Sequence, residues 1–456
     1  MSTLAERVAE IGAAAAAHAD HWEVLGVDRV DTVVEVGSGV PDAVRSAHEA
    51  ALCLRVHRAG RVGTVTTTGP DDAGALVRHA VRSAAYGPPA SPPARPSPAP
   101  GRSPAAEPAD DGEGGAARAV RRLAEGLGAL QSAVGLTMHG TVSRTEQTVH
   151  RMAPEGHQEG RDRFFHVSAL AEGAGTSGIQ LPWNGWTRSA ALPAGLASWL
   201  STAAGWAGLP VLDAPSREHD VLLAPTAVHT LLTPLVTALS GTAAVSGRSF
   251  AAAGLGVPLL HTSISLRDHP SPPPAGDEEG TEGLAWPGSD DDGVPCAPLT
   301  LIDSGVPARL YHSHRTAVAC GDVPTGHGFR GNALRRTMLR PITPVLNGAT
   351  LSAEDSETGR FDDLLGGVRD GVLIESLMGG QQRGGLSPIV EGRIRLGFLI
   401  RHGRVAGVLH PCAVALDLRE VLGARFLGLT EHRWAVSRIW SGRMPFVLAS
   451  AGGGRA

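Results

Sequence analysis

The sequence predicts an α+β protein: an N-terminal α/β domain followed by a C-terminal antiparallel, barrel-like β-rich domain. Three observations lead there. The 456 residues are 42% apolar, enough for two cores when single domains run to roughly 100–200 residues. Ala73, Leu76, Val77, Ala80, Val81 and Ala84 follow the three-to-four spacing of an amphipathic helix beside a pair of strand patterns. Far downstream, Ile394, Leu396, Phe398 and Ile400 alternate with Arg393, Arg395, Gly397 and Arg401, so one strand face is buried and the other wet. The expected division is residues 1–215 and residues 216–456.

The first domain reads as a helix from Leu4 to Ala19, a strand from Thr32 to Gly37, strands around Ala51–His57 and Arg61–Thr67, and a helix from Asp71 to Ala85. Arg58-Ala59-Gly60 between the paired strands is a hairpin turn. Gly87 to Gly115 carries nine prolines among small and acidic residues, a composition that cannot bury enough apolar area to offset chain entropy, so a disordered insertion is expected. A helix from Ala116 to Ala133 and a strand from Leu136 to Val149 resume the fold. Between Gly156 and Gly208 the periodicity fades, leaving Trp183, Trp186, Trp199 and Trp206 as core or interface residues.

In the second domain, Val228, Leu231, Leu232, Leu235, Val236 and Leu239 share one face of a helix beginning near Pro225, whose ring suits a first turn; Pro234 removes an interior hydrogen bond and should kink it. Pro270 to Pro298 is a second low-complexity insertion, acidic and proline-rich. Its three adjacent aspartates lack the alternating ligands of a calcium loop, and a solvated loop is expected. His402-Gly403 turns the strand around Ile394–Ile400 into Val405 and Val408, and Asp417 to Gly423 is a short helix opened by its aspartate.

Formal net charge is -5 with a pI near 6.4, which offers no basic surface for nucleic acid or anionic membrane. The rows contain no lysine, and abundant Arg, Ala and Gly reflect composition rather than guanidinium chemistry. Cys53, Cys296, Cys320 and Cys412 form no CxxC pair, which suits a reducing compartment. The Ala-rich start lacks a basic leader and a long apolar run, and no segment approaches the ~20 apolar residues of a span, so a soluble, cytoplasmic protein is expected. No phosphate-cradling loop, dinucleotide fingerprint or serine triad is evident.

Four blocks carry a family resemblance. They are LRVHRAGRVGTVTTTGPDDAGALVRHAVRSA, the stretch Asp220 to Asp268, Asp303-Ser304-Gly305-Val306 with the following ARLYHSHRTAVACGDVPTGHGFRGN, and Gly379 to Gly423. Their order and spacing resemble the TldD/TldE (PmbA) peptidase family, closest in character to its metal-free TldE/PmbA-type subunits. In the catalytic TldD-type subunits the helix near residue 230 carries HExxxH; here Leu231 to Val236 lies over that motif. Leucine can neither hold zinc nor deprotonate its water. The resemblance also implies a cysteine ligand near the C-terminus, whereas Thr430 to Pro445 has none.

The resemblance therefore implies a chain without catalytic or metal-binding residues of its own, inactive alone, with zinc in a TldD-type partner. The pair would be a heterodimer that cuts or trims small unfolded peptides inside a chamber. This subunit would hold an extended peptide by main-chain hydrogen bonds at a sheet edge and at the loop Gly379, Gly380, Gly384, Gly385 and Ser387, where glycines let a backbone approach. An ordinary strand connection remains the alternative. A rival chemistry is a self-sufficient metal-dependent hydrolase: His312 and His314 on one strand would point to one side, with Cys320 and His327 folding back as ligands. Lone His229 reads as a packing histidine. A stand-alone peptide-binding scaffold is the third reading.

Overall fold

The computed structural model describes residues 3–90, 92, 114–173, 180–187, 192, 194–206, 208–216, 218–269, 289–331, 340–382, 387–437 and 440–451. Both low-complexity expectations fall largely outside them, at residues 93–113 and 270–288.

Helix α1 (Leu4–Ala16) opens on a capping box: Thr3 accepts from the Glu6 N–H, and Glu6 accepts from the Thr3 N–H. Strands β1 (His21–Gly37), β2 (Val40–Arg58) and β3 (Arg61–Thr67) follow, then α2 (Ala73–Tyr86), capped by Asp72. Next come α3 (Gly115–Val134), β4 (Thr137–Ala153), β5 (Gly156–Glu172), β6 (Gln180–Thr187) and α4 (Ala194–Ala204). The strands form one antiparallel sheet in the order β3-β2-β1-β4-β5-β6. Ala59 and Gly60 take φ of 49° and 71° in the β2–β3 hairpin, the left-handed pair of a two-residue turn.

Period-two alternation sorts the side chains of this sheet. Trp22 and Val24 on β1, with Leu52, Leu54 and Val56 on β2, pack beneath α1 and α2. Val34 and Val36, farther along β1, pack beneath α3. The opposite face holds the small apolar cluster Leu25, Val27, Ala51, Cys53 and Val149, with Glu23, Arg55 and Arg151 beside it. The strand expected over Thr32–Gly37 thus begins eleven residues earlier, at His21, because Glu23 and Arg29 on its second face are buried in ion pairs.

Two further large sheets follow, together with a two-stranded one, Gly328–Phe329 with Thr343–Pro344. One has nine strands running from Thr358–Gly359 through Phe426–Thr430, Val447–Ala449, Asp220–Leu223, Asp370–Gln382, Ile389–Arg401 and Arg404–Leu409 to Val211–Leu212, with Ala413–Asp417 paired to Ile389–Arg401. No pairing closes it into a barrel among the described residues. The other has six strands: Val306–Pro307, Leu299–Asp303, Ser265–Asp268, Ala349–Ser352, Ser441–Met444 and Trp434–Ser437.

Helices tie these sheets together. Leu123 and Leu127 of α3 and Leu196 and Leu200 of α4 share a core with Leu222, Leu373, Phe398 and Ile400 of the nine-stranded sheet and with Phe446, just before its Val447–Ala449 strand. Val372 and Ile374 face the other way, towards α5 (Pro225–Ala238). That helix also meets Leu266, Leu301, Leu351 and Met444 of the six-stranded sheet. Each fully buried leucine in such a layer contributes about 1.5–3 kcal/mol. The expected helix at Asp417–Gly423 is a π-turn, Glu420–Ala424, and Asp417 accepts the Arg419 N–H at 2.9 Å just before it. No helix among the described residues is long and apolar enough to cross a membrane.

Candidate functional site

Helix α5 starts with Pro225 at its first position, where a missing N–H costs nothing, and runs through Pro234. Leu231, Leu232 and Leu235 are fully buried, and Val236 nearly so. His229 is buried on the same helix, and the Trp440 indole lies over its ring with centroids 4.0 Å apart and planes 17° apart. His229 Nε2 is 3.0 Å from the Trp440 carbonyl oxygen, which only accepts, so Nε2 carries the proton. The Trp440 indole N–H in turn donates to Thr233 Oγ1 at 3.2 Å, and the Thr233 hydroxyl donates to the His229 carbonyl at 2.9 Å.

The two segments that the resemblance singles out, Leu231–Val236 and Thr430–Pro445, therefore meet in space through His229, Thr233 and Trp440. Where they meet, the side chains are the aliphatics of α5, the Thr233 hydroxyl and the Trp440 indole around one imidazole that is already hydrogen-bonded and stacked. That donor set does not fit a zinc ion, which needs three or four nitrogen, thiolate or carboxylate ligands.

The rival constellation is arranged differently from the expectation. His312 and His314 do not share a strand: Ser313 caps a helix, His314–Cys320, by accepting the Thr316 N–H, and His314 is its first residue. His312 is fully buried, with Nδ1 3.3 Å from Thr316 Oγ1 and Nε2 3.5 Å from a carboxylate oxygen of Asp322; burial lowers its pKa. His327 Nε2 is 3.2 Å from Asp268, and its Nδ1 lies 2.8 Å from the Thr325 carbonyl. Cys320 is exposed at the end of the helix. Among the described residues, no three or more His, Cys, Asp or Glu side chains converge as metal ligands.

In the expected peptide loop, Gly379 and Gly380 instead continue the strand Asp370–Gln382, whose Gln381 and Gln382 pair with Glu391 and Val390. Gly379 has φ of 81°, a conformation that favours glycine. Ser387 accepts the Ile389 N–H at 3.1 Å, and Gly384 and Gly385 lie outside the described residues. Trp199 and Trp206 join Phe361, Phe398 and Phe446 in an aromatic cluster; the side chains of Trp183 and Trp186 are outside the description.

Two features escape a reading of local sequence. The end of the acidic insertion is not solvated: Asp290, Asp291 and Asp292 are buried. Asp292 accepts Arg55 Nη1 at 2.8 Å and the His314 N–H at 3.0 Å, and its carbonyl accepts Arg151 Nη2 at 3.1 Å. Glu23 binds both arginines. Burial alone would raise the Glu23 carboxyl, but Arg55 and Arg151 outweigh it and hold it down at about 2. Asp290 accepts the N–H groups of Asp292, Val294 and Gly328, which shapes the turn. The second feature is Glu375, buried at a β-bulge between Ile374 and Ser376. Burial pushes its carboxyl up to about 8, against a hydrogen bond from Trp199 that lowers it.

Comparison with known proteins matches residues 216–445 to the PmbA/TldA metallopeptidase C-terminal domain and residues 22–84 to the PmbA/TldA metallopeptidase domain 1. No curated protein matches the sequence. Among solved structures, the chain is similar to TldE from Thermococcus kodakarensis, at a TM-score of 0.81 and 17% identity over 97% of this chain and 98% of that one. It is also similar to a putative modulator of a DNA gyrase from Thermotoga maritima, at 0.77 and 17% over 98% and 99%. A putative modulator of DNA gyrase from Bacteroides thetaiotaomicron gives 0.74 and 16% over 98% and 97%. At these identities the structural likeness speaks for the fold, while the C-terminal family model alone spans half of the sequence. The chain belongs to the PmbA/TldD metallopeptidase family.

Proposed function

We propose that this chain is a metal-free, TldE/PmbA-like subunit that joins a TldD-type catalytic subunit in a cytoplasmic heterodimer cutting or trimming small unfolded peptides. The observation that carries the reading is the stack of Trp440 on His229, with Thr233 beneath the indole, where the resemblance implies a metal centre in catalytic relatives. Zinc and its activated water then belong to the partner, and this chain supplies wall and binding surface.

Two terminal strands suit the binding role. β6 ends the first sheet, the Trp434–Ser437 strand ends the six-stranded sheet, and the two lie side by side. Strand edges hold an extended peptide by main-chain hydrogen bonds without reading its sequence. The family models fall on either side of residue 215, in keeping with a division there into two domains. Four free cysteines suit a reducing compartment.

The test is reconstitution. The chain is purified alone and together with a TldD-type subunit from the same genome, and mass and cleavage of an unstructured peptide are measured. A mixed complex that cleaves, beside an inert isolated chain, supports the reading. Self-association with no mixed complex favours a stand-alone peptide-binding scaffold.

A further inference from the structure

Glu375 lies where three elements meet. It is the extra residue of a bulge in the strand Asp370–Gln382: Ile374 pairs with Gly397 and Ser376 with Leu396, leaving Glu375 without a cross-strand partner. Its carbonyl accepts the hydroxyl of Thr226 in the first turn of α5. Its carboxyl takes a hydrogen bond from Trp199 of α4, while Oε2 is buried with no partner, as is the neighbouring Ser376 Oγ. A buried, unneutralised acid with an orphaned oxygen costs the fold free energy unless it keeps its proton.

Among the described residues, no counter-charge relieves it. The ionisable groups on the packed elements are Asp220 on the neighbouring parallel strand, His229 on α5, Asp370 on its own strand, and Glu391, Arg393, Arg395 and Arg401 on the antiparallel partner. α4 and β6 carry none. The forces on the carboxyl are burial and the Trp199 hydrogen bond alone.

We propose that Glu375 is a proton-operated latch between α4, the bulged strand and α5: the closed arrangement holds the proton, and losing it favours a locally opened one in which the carboxylate reaches water. A bulge bends its strand and interrupts the ladder locally, and this one lies four residues before Gly379, whose φ is 81°. The inference is independent of the peptidase reading.

The sign follows from linkage. The closed form keeps its proton up to about 8, whereas a solvated glutamate releases it near 4.5. Opening therefore rises with pH between those values, by up to about tenfold per pH unit, and levels off above them. The slope covers the physiological range.

Native-state hydrogen exchange of the full chain, corrected for intrinsic rates, reads this directly in residues 194–206 and 370–378. Wild type should lose protection by up to about tenfold per unit from about pH 5 to a plateau near pH 8, and Glu375→Gln, which is neutral throughout, should show no such slope. Trp199→Phe removes the hydrogen bond that favours the charged form, so its plateau should move to higher pH. Parallel slopes in wild type and E375Q overturn the proposal. If E375Q does not fold, an unmoved plateau in W199F overturns it.

Discussion

The imidazole of His229 is sandwiched by chemistry on both its face and its edge: Trp440 stacks on it at 4.0 Å, and the carbonyl of the same Trp440 accepts its Nε2 proton at 3.0 Å. A residue 211 positions away thus fixes the one histidine of α5 by two separate contacts, leaving it a packing element. Truncating the indole should open a cavity between α5 and the Ser441–Met444 strand. Trp440→Ala is expected to cost about 3–5 kcal/mol, read as a lower denaturant midpoint with an unchanged slope.

Writing the missing motif back into α5 should not create a working centre. Leu231→His, Leu232→Glu and Val236→His together would bury three polar groups in a layer that offers them no partners. Each unsatisfied group costs roughly 1–3 kcal/mol. The triple variant should lose stability by several kcal/mol and gain no peptide cleavage, as thermal melting and a cleavage assay would show.

The buried network joining the first sheet to residues 289–295 should dominate stability in acid. Glu23 is held at about 2 against an ordinary 4.5. Its folded value is depressed, so its contribution is complete above the unfolded value and is lost as pH falls from about 4.5 towards 2. That contribution is about 3 kcal/mol. Melting temperature against pH should fall steeply over this interval in wild type and less steeply in Glu23→Gln. Asp292→Ala, which strips Arg55 of one buried partner, is expected to cost about 3–5 kcal/mol at neutral pH.

His312 should behave as a structural residue. Its main chain exchanges hydrogen bonds with Thr325, and its ring meets Thr316 and Asp322. Changing His312 and His314 to alanine together should lower stability by about 1–3 kcal/mol and leave the metal content of chelator-free protein unchanged. Stoichiometric zinc that disappears in the double variant would restore the self-sufficient hydrolase reading.

What the sequence discloses follows how local each cause is. The hairpins at Ala59-Gly60 and His402-Gly403 are legible because left-handed backbone is demanded by two adjacent residues. α2, α3 and α5 are legible because one apolar stripe repeats at helical spacing. Strand β5 and helix α4 are not: the first half of β5 is polar and exposed and is a strand only through its pairing with β4, and the apolar stripe of α4, Leu196, Leu200 and Ala203, is short. The aspartates at 290–292 look solvated because Arg55 lies 237 residues from Asp292. At the candidate site, the absence of HExxxH and of a late cysteine can be read directly. That Trp440 stacks on His229, and that Glu375 ends up buried beside Trp199, depends on packing that no local pattern records.

The most direct test of the account measures peptide hydrolysis by the isolated, folded chain, with and without a chelator, beside the same assay on its mixture with a TldD-type subunit. The account predicts no cleavage by the chain alone and chelator-sensitive cleavage by the mixed complex. Chelator-sensitive cleavage by the isolated chain would contradict it.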